Sequence, residues 1–139
     1  MKRIFLDTNV LIDYYDNRSG ADAAESIFAA GYAKKIELYT SVLSFANFAY
    51  IAFRHRTREQ LYAHLDSLSE MVSALPIDNE QLRRAIDAKE RDFEDMLQYQ
   101  CAIAAGCDAI VTRNIKDFQN YCTLPLMTSE DFVKSKFMK

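Results

Sequence analysis

The stretch Asp92-Phe93-Glu94-Asp95-Met96-Leu97-Gln98-Tyr99-Gln100-Cys101-Ala102-Ile103-Ala104-Ala105-Gly106-Cys107-Asp108-Ala109-Ile110-Val111-Thr112 carries the clearest structural punctuation in the chain. Its acidic opening suits a helix N-terminus, where orphan amides and the helix dipole favour carboxylates. Gly106 suits the helix stop. Ala109 to Thr112 is a continuous apolar run of strand length, which predicts a strand buried on both faces. A helix feeding a buried strand is half of a βαβ unit.

Working outward, the same alternation recurs. Arg3 to Leu6 reads as a buried strand, Asn9 to Asp16 as a short helix, and Asn17-Arg18-Ser19-Gly20 as a turn. A helix follows over Ala21 to Lys34, then a short strand over Glu37 to Thr40. Helices are expected over Val42 to Arg54 and Thr57 to Ser73, the second capped by Thr57. Ala74 to Ile77 is strand-like, with Pro76 suiting its end. Asp78 caps a helix to about Lys89. Beyond the opening stretch, Arg113 to Asp117 reads as a loop, Leu126-Met127 as a brief strand and Ser129 as the start of a last helix. Strands separated by helices imply an α/β fold: a parallel sheet of four to five strands with helices on both faces, in one domain over residues 1–139. In such sheets ligands bind beyond the carboxyl ends of the strands.

The chain has 139 residues, with 17 basic and 20 acidic side chains and a formal net charge of −3. Only 3 Gly and 2 Pro argue against a disordered chain. The longest near-apolar stretch, Val42 to Phe53, is too short to span a bilayer. No signal peptide is legible at Met1 to Asp7, so the expected compartment is the cytoplasm. Cys101, Cys107 and Cys122 include no C-x-x-C pair, and His55 and His64 have no cysteine nearby, which points away from a disulfide framework or a zinc site. The mild acidity excludes a protein that holds nucleic acid mainly by bulk positive charge. It leaves open one that holds phosphates through a cation.

The acids fall in a pattern. Asp7 directly follows the first strand, Asp95 lies in the first turn of the helix feeding the Ala109 strand, and Asp117 lies after that strand with Asn114. If these carboxylates converge on one rim, their repulsion calls for a cation. With only oxygen ligands on offer, the expected ion is Mg²⁺ or Mn²⁺. Such an ion activates water and neutralises charge building on a phosphate, which gives metal-dependent phosphoryl chemistry and no more.

Phe5-Leu6-Asp7-Thr8-Asn9-Val10-Leu11-Ile12-Asp13 resembles the opening of the PIN domain family. Asp95-Met96-Leu97 with Gly106 through Phe118 resembles its C-terminal half, and the second block is the more specific. The resemblance implies a three-layer fold and a Mg²⁺- or Mn²⁺-dependent endoribonuclease. It is most often the toxin of a VapBC-type toxin–antitoxin pair, with a small antitoxin protein as partner and a homodimer as the assembly. It implies that Asp7, Asp95 and Asp117 hold the metal and carry catalysis. It implies that Asn9, Thr112 and Asn114 support them; Asn47 and Glu94 are supporting candidates beside them, and Arg113 and Lys116, which flank the proposed site, are candidate RNA contacts. One departure stands out. Many family members place a Glu in the helix after Ser41, where this chain has Asn47. An amide there brings no charge.

Each of these residues also has a plainer reading. Asp7 suits the N-cap of the helix after it, and Asp92, Glu94 and Asp95 suit a helix dipole. Asn9, Asn114 and Asp117 suit turns, and Asn47 suits a buried amide satisfied by backbone. Asp13 suits a structural partner for a basic group such as Arg18. Arg54-His55-Arg56-Thr57-Arg58 reads as helix-end cations or as RNA phosphate contacts. The aromatic row Phe45, Phe48, Tyr50 and Phe53 reads as core, part of it facing a second subunit or a partner helix. Two rival classes follow. One is a PIN-like module that binds RNA or a partner without cutting. The other is an aspartyl-phosphate protein, which needs a second acid where this chain has Asn9.

Overall fold

The computed structural model describes residues 1–138. Five strands form one parallel sheet in the order β3-β2-β1-β4-β5: β1 Arg3–Leu6, β2 Glu37–Ser41, β3 Ser73–Leu75, β4 Ala109–Val111 and β5 Leu126–Met127. Among the described residues, eight α-helices connect and cover them: α1 Thr8–Asp16, α2 Ala21–Tyr32, α3 Val42–Ala52, α4 Arg58–Met71, α5 Asn79–Ala88, α6 Phe93–Ala104, α7 Ile115–Phe118 and α8 Ser129–Lys134. A 3-10 turn, Phe53–His55, follows α3.

Side-chain alternation along the strands builds the three layers. Ile4 and Leu6 of β1, with Ala109 and Val111 of β4, face a core filled by residues of α1 to α4 and by Phe132 of α8. Phe5 and Ile110 point the other way, onto Cys101 and Ala102 of α6 and Phe118 of α7. β1 from Ile4 onward and β4 are therefore buried on both faces, as their unbroken apolar runs require, whereas the edge strand β3 is largely exposed.

The chain lays β2 and β3 on one side of β1, then crosses back to lay β4 and β5 on the other. β1 and β4 thus flank the point where the strand order reverses, and their carboxyl ends open a crevice. The ladder continues one residue past β1, with the Asp7 amide donating to the Val111 carbonyl at 3.0 Å.

Several boundaries differ from the sequence reading: the helix expected to Lys34 stops at Tyr32, with Lys34 left-handed, and the strand expected to Ile77 stops at Leu75. Arg113 to Asp117 is not all loop: residues from Ile115 form α7, because the fully buried Phe118 anchors that turn in the second core. Ser73 is strand rather than helix. The buried Val72 turns extended after α4, and Ser73 pairs with Tyr39. The helix from Val42 gives way at Phe53 to the 3-10 turn rather than reaching Arg54 as α-helix. The Thr57 and Asp78 caps form as complete capping boxes with Gln60 and Gln81.

Candidate active site

Asp7 sits where β1 becomes α1. It serves as the N-cap of α1, its Oδ1 accepting from the Thr8 amide at 2.8 Å. Its Oδ2 accepts from the Thr112 hydroxyl at 2.7 Å, so the ends of β1 and β4 are tied through this carboxylate. The plain cap reading and the site reading of Asp7 describe the same atom group. Only 3% of Asp7 is exposed, and burial pushes its carboxyl up to about 6 against the two hydrogen bonds that favour the anion.

Asp95 reaches the same cleft from α6. It is 4% exposed and its Oδ2 is buried with no hydrogen-bond partner. Burial, then repulsion from Asp7, Asp92, Glu94 and Asp117, pushes its carboxyl up to about 8. Asp92 is the N-cap of α6, accepting from the Asp95 amide at 3.0 Å. Carboxylate oxygens of Asp92, Glu94 and Asp95 lie within 4.8 Å of one another.

The cleft has a volume of about 330 Å³ and two unlike walls. Asp7, Glu94 and Asp95 form the acidic one, and Ile12, Tyr50 and Ile51 the apolar one. Tyr50 is 70% exposed, and the Arg54 guanidinium lies 5.3 Å from its ring centre. Asn9, Asn47 and Asn114 also line the cleft.

The structure brings Asp7 and Asp95 together and leaves Asp117 exposed on α7, outside the cleft lining but near enough for its charge to act on Asp95. Asn9 makes no hydrogen bond to Asp7. Its Oδ1 accepts from the Arg113 amide at 3.3 Å and ties α1 to the β4 end. Thr112, besides holding Asp7, accepts from the Asn114 amide at 3.0 Å. Lys116 is exposed on α7.

The buried Asp13 has the basic partner expected of it, but that partner is Arg113 at 3.0 Å rather than Arg18. Arg18 lies beyond the left-handed Asn17 that ends α1, and its guanidinium turns to Asp16 at 3.6 Å. Arg113 is thereby drawn into a recess with Thr128, Ser129 and Glu130, away from the acidic wall. Asn47 is also not satisfied by backbone: its Nδ2 donates to Glu94 Oε1 at 2.7 Å.

Sequence reasoning missed a buried polar network beneath the cleft. Gln98 donates to Glu94 Oε1 at 3.2 Å and to Ser44 Oγ at 2.9 Å, and accepts from Ser41 Oγ at 2.6 Å. The Thr8 hydroxyl donates to Ser44 Oγ at 3.0 Å. The available signals were Gln98 four residues after Glu94 on one helix face, and Ser44 three after Ser41 at a helix start.

The donor set is all oxygen, two of its carboxylates are buried, and one of their oxygens is orphaned. Like charges packed this way fit a hard divalent cation, which Asp7, Asp95 and their acidic neighbours could hold.

The sequence model of the PIN domain matches residues 3–116. Ribonuclease VapC1 of Aquifex aeolicus (strain VF5) is 26% identical over 138 residues, covering 94% of this chain and 93% of its own length. The fold is similar to that of DNA-bound VapBC from Salmonella typhimurium, with a TM-score of 0.71 and 18% identity over 93% of this chain and 99% of that one. VapBC-1 from nontypeable Haemophilus influenzae gives a TM-score of 0.68 and 22% identity over 92% of this chain and 98% of that one. The matched span runs from β1 through the Asp7 and Asp95 walls to Lys116, one residue short of Asp117, and the chain belongs to the PIN domain family.

Proposed function

We propose that the chain is an endoribonuclease that hydrolyses RNA phosphodiesters with a divalent cation, Mg²⁺ or Mn²⁺, held by Asp7 and Asp95 with Asp117 at the rim. The observation that carries this reading is the pair of buried carboxylates from β1 and α6 in one cleft, with Asp95 Oδ2 unpartnered. When bound, such an ion activates water and neutralises charge on the phosphate.

The chain's own residues supply the rest. Thr8 and Thr112 orient Asp7 and favour its ionised form. Asn9 and Thr112 fix the turn after β4 that carries Asn114. Tyr50, Ile12 and Ile51 offer an unpaired base or sugar an apolar face beside the acids, which suits single-stranded or looped RNA. Arg54, over the ring of Tyr50, and Lys116, two residues past Asn114, are exposed cations beside lining residues of the cleft, and Arg113 steadies Asp13 instead. Cleavage leaves a 5′-phosphate and a 3′-hydroxyl.

The similarity to a named ribonuclease and to VapBC assemblies supports the further reading that this is the toxin of a toxin–antitoxin pair. A small antitoxin protein then covers the cleft. A second copy of the chain covers the exposed Val42 and Leu82 in the apolar groove of α3 and α5, with Ile86 exposed one turn further along α5. Among the described residues no helix is long and apolar enough to cross a membrane.

The test is Mn²⁺-dependent cleavage of structured and unstructured RNA by the wild type, Asp7→Asn and Asp95→Asn. Each substitution is expected to lower cleavage by about a thousandfold or more, the scale of losing a group that organises the transition-state charge. Equal cleavage by all three overturns the assignment. Mn²⁺ binding without cleavage by the wild type favours the non-cutting module.

A further inference from the structure

The acid at the start of α6 that matters beyond Asp95 is Glu94. A glutamate that only complemented a helix dipole would be solvated and free in its rotamers. Glu94 is instead gripped from two elements. Its Oε1 accepts from Asn47 Nδ2 of α3 at 2.7 Å and from Gln98 Nε2 of α6 at 3.2 Å.

The grip has a fixed polarity. Gln98 is fully buried, and its Oε1 accepts from the Ser41 hydroxyl at 2.6 Å. The Ser41 oxygen also accepts from the Ser44 amide at 2.9 Å and has a second lone pair, so the orientation is set by Glu94, whose carboxylate can only accept. The amide end of Gln98 therefore faces Ser44 and Glu94 and cannot usefully flip. Two neutral donors hold one carboxylate oxygen and add no positive charge, while the other has no hydrogen-bond partner among the described residues. That carboxylate lines the cleft where Asp95 Oδ2 is independently orphaned, and its oxygens approach those of Asp92 and Asp95 within 4.8 Å.

Resting on the cation-dependent reading above, we infer that Glu94 supplies a carboxylate to the divalent cation. Asn47 and Gln98 are positioning residues that aim it. The negative charge that α3 lacks at Asn47 is thus delivered from α6, across a 2.7 Å hydrogen bond.

Calorimetric titration of the full chain with Mn²⁺ tests this. Glu94→Gln is expected to weaken Mn²⁺ binding at least about tenfold, and Asn47→Ala by about tenfold, the usual scale for removing the partner of a ligand. The double variant Asn47→Asp with Glu94→Gln moves the charge from α6 to α3 and reverses the hydrogen bond. It is expected to recover binding to within about threefold of wild type, less than one factor of ten in affinity. Thermal unfolding without metal checks the fold, and Glu94→Gln is expected to unfold no earlier than wild type. Wild-type affinity in Glu94→Gln, with binding lost in Asp95→Asn, overturns the inference and leaves the cation reading standing. A double variant no tighter than Glu94→Gln overturns the role given to Asn47. A wild type that binds no Mn²⁺ at millimolar concentration overturns both readings.

Discussion

Asp95 joins two properties that both oppose its ionisation in the absence of a cation: a nearly complete burial and a set of acidic neighbours. Its carboxyl rises from 3.8 to about 8 in the folded chain, and that of Asp7 from 3.8 to about 6. Between those limits the native state keeps protons that the unfolded chain has released, so stability falls as pH rises from about 4 to about 8. Melting of the protein in a chelator is expected to show this decline. Asp95→Asn is expected to flatten it and to raise stability at pH 8 by on the order of 2–4 kcal/mol. A melting temperature that rises with pH over this window contradicts the assignment. Tyr50 makes a different kind of contribution, since it has no hydrogen bond to an acid among the described residues and offers an exposed ring. Steady-state kinetics of Tyr50→Ala is expected to show KM for RNA raised about tenfold, with kcat little changed, in keeping with one lost stacking contact.

At the scale of elements, the site depends on helices that start and pack in fixed places. α2 lies so close to β2 that a Cβ on Gly31 would stand 2.5 Å from Leu38 Cδ1. Leu38 is itself buried, so making room pushes its side chain against core neighbours. Gly31→Ala is therefore expected to cost about 1–3 kcal/mol in denaturant unfolding, as an overpacked core does. The Asp78 capping box starts α5 away from the cleft. Asp78→Ala is expected to cost about 1 kcal/mol of stability and to leave Mn²⁺ affinity unchanged. These caps were legible because they are local: Thr57 with Gln60 and Asp78 with Gln81 lie three residues apart in the sequence. Helix α7 was not legible. Four residues carry too little periodicity, and the burial of Phe118 that holds the turn is a contact with α6.

For the whole molecule, the reversal of strand order beside β1 decides where chemistry can occur. It brings the ends of β1 and β4 together with the start of α6 and gathers the acidic wall from distant parts of the chain. The same architecture leaves Val42 and Leu82 exposed in a groove of about 310 Å³ that Leu43, Ile77 and Leu97 also line, with Ile86 exposed one turn further along α5. On the reading that a second copy covers this face, the chain is expected to sediment as a dimer. Leu82→Asp with Ile86→Asp is expected to yield a folded monomer, checked by analytical ultracentrifugation and circular dichroism.

The amino-acid order by itself determined the α/β class, the parallel sheet and the strand-end position of Asp7, because buried runs, caps and stops are written in short stretches of chain. It also marked Asp95 as an acid at a helix start. Tertiary structure alone decided which acids share the cleft, that Arg113 serves Asp13, and that Asn47 and Gln98 grip Glu94. Apart from Gln98 and Glu94, four residues apart on α6, those partnerships join residues tens of positions apart, and several reflect choices among side-chain rotamers. Only the packed sheet and its helices select among such choices, because only packing removes water as the competing partner.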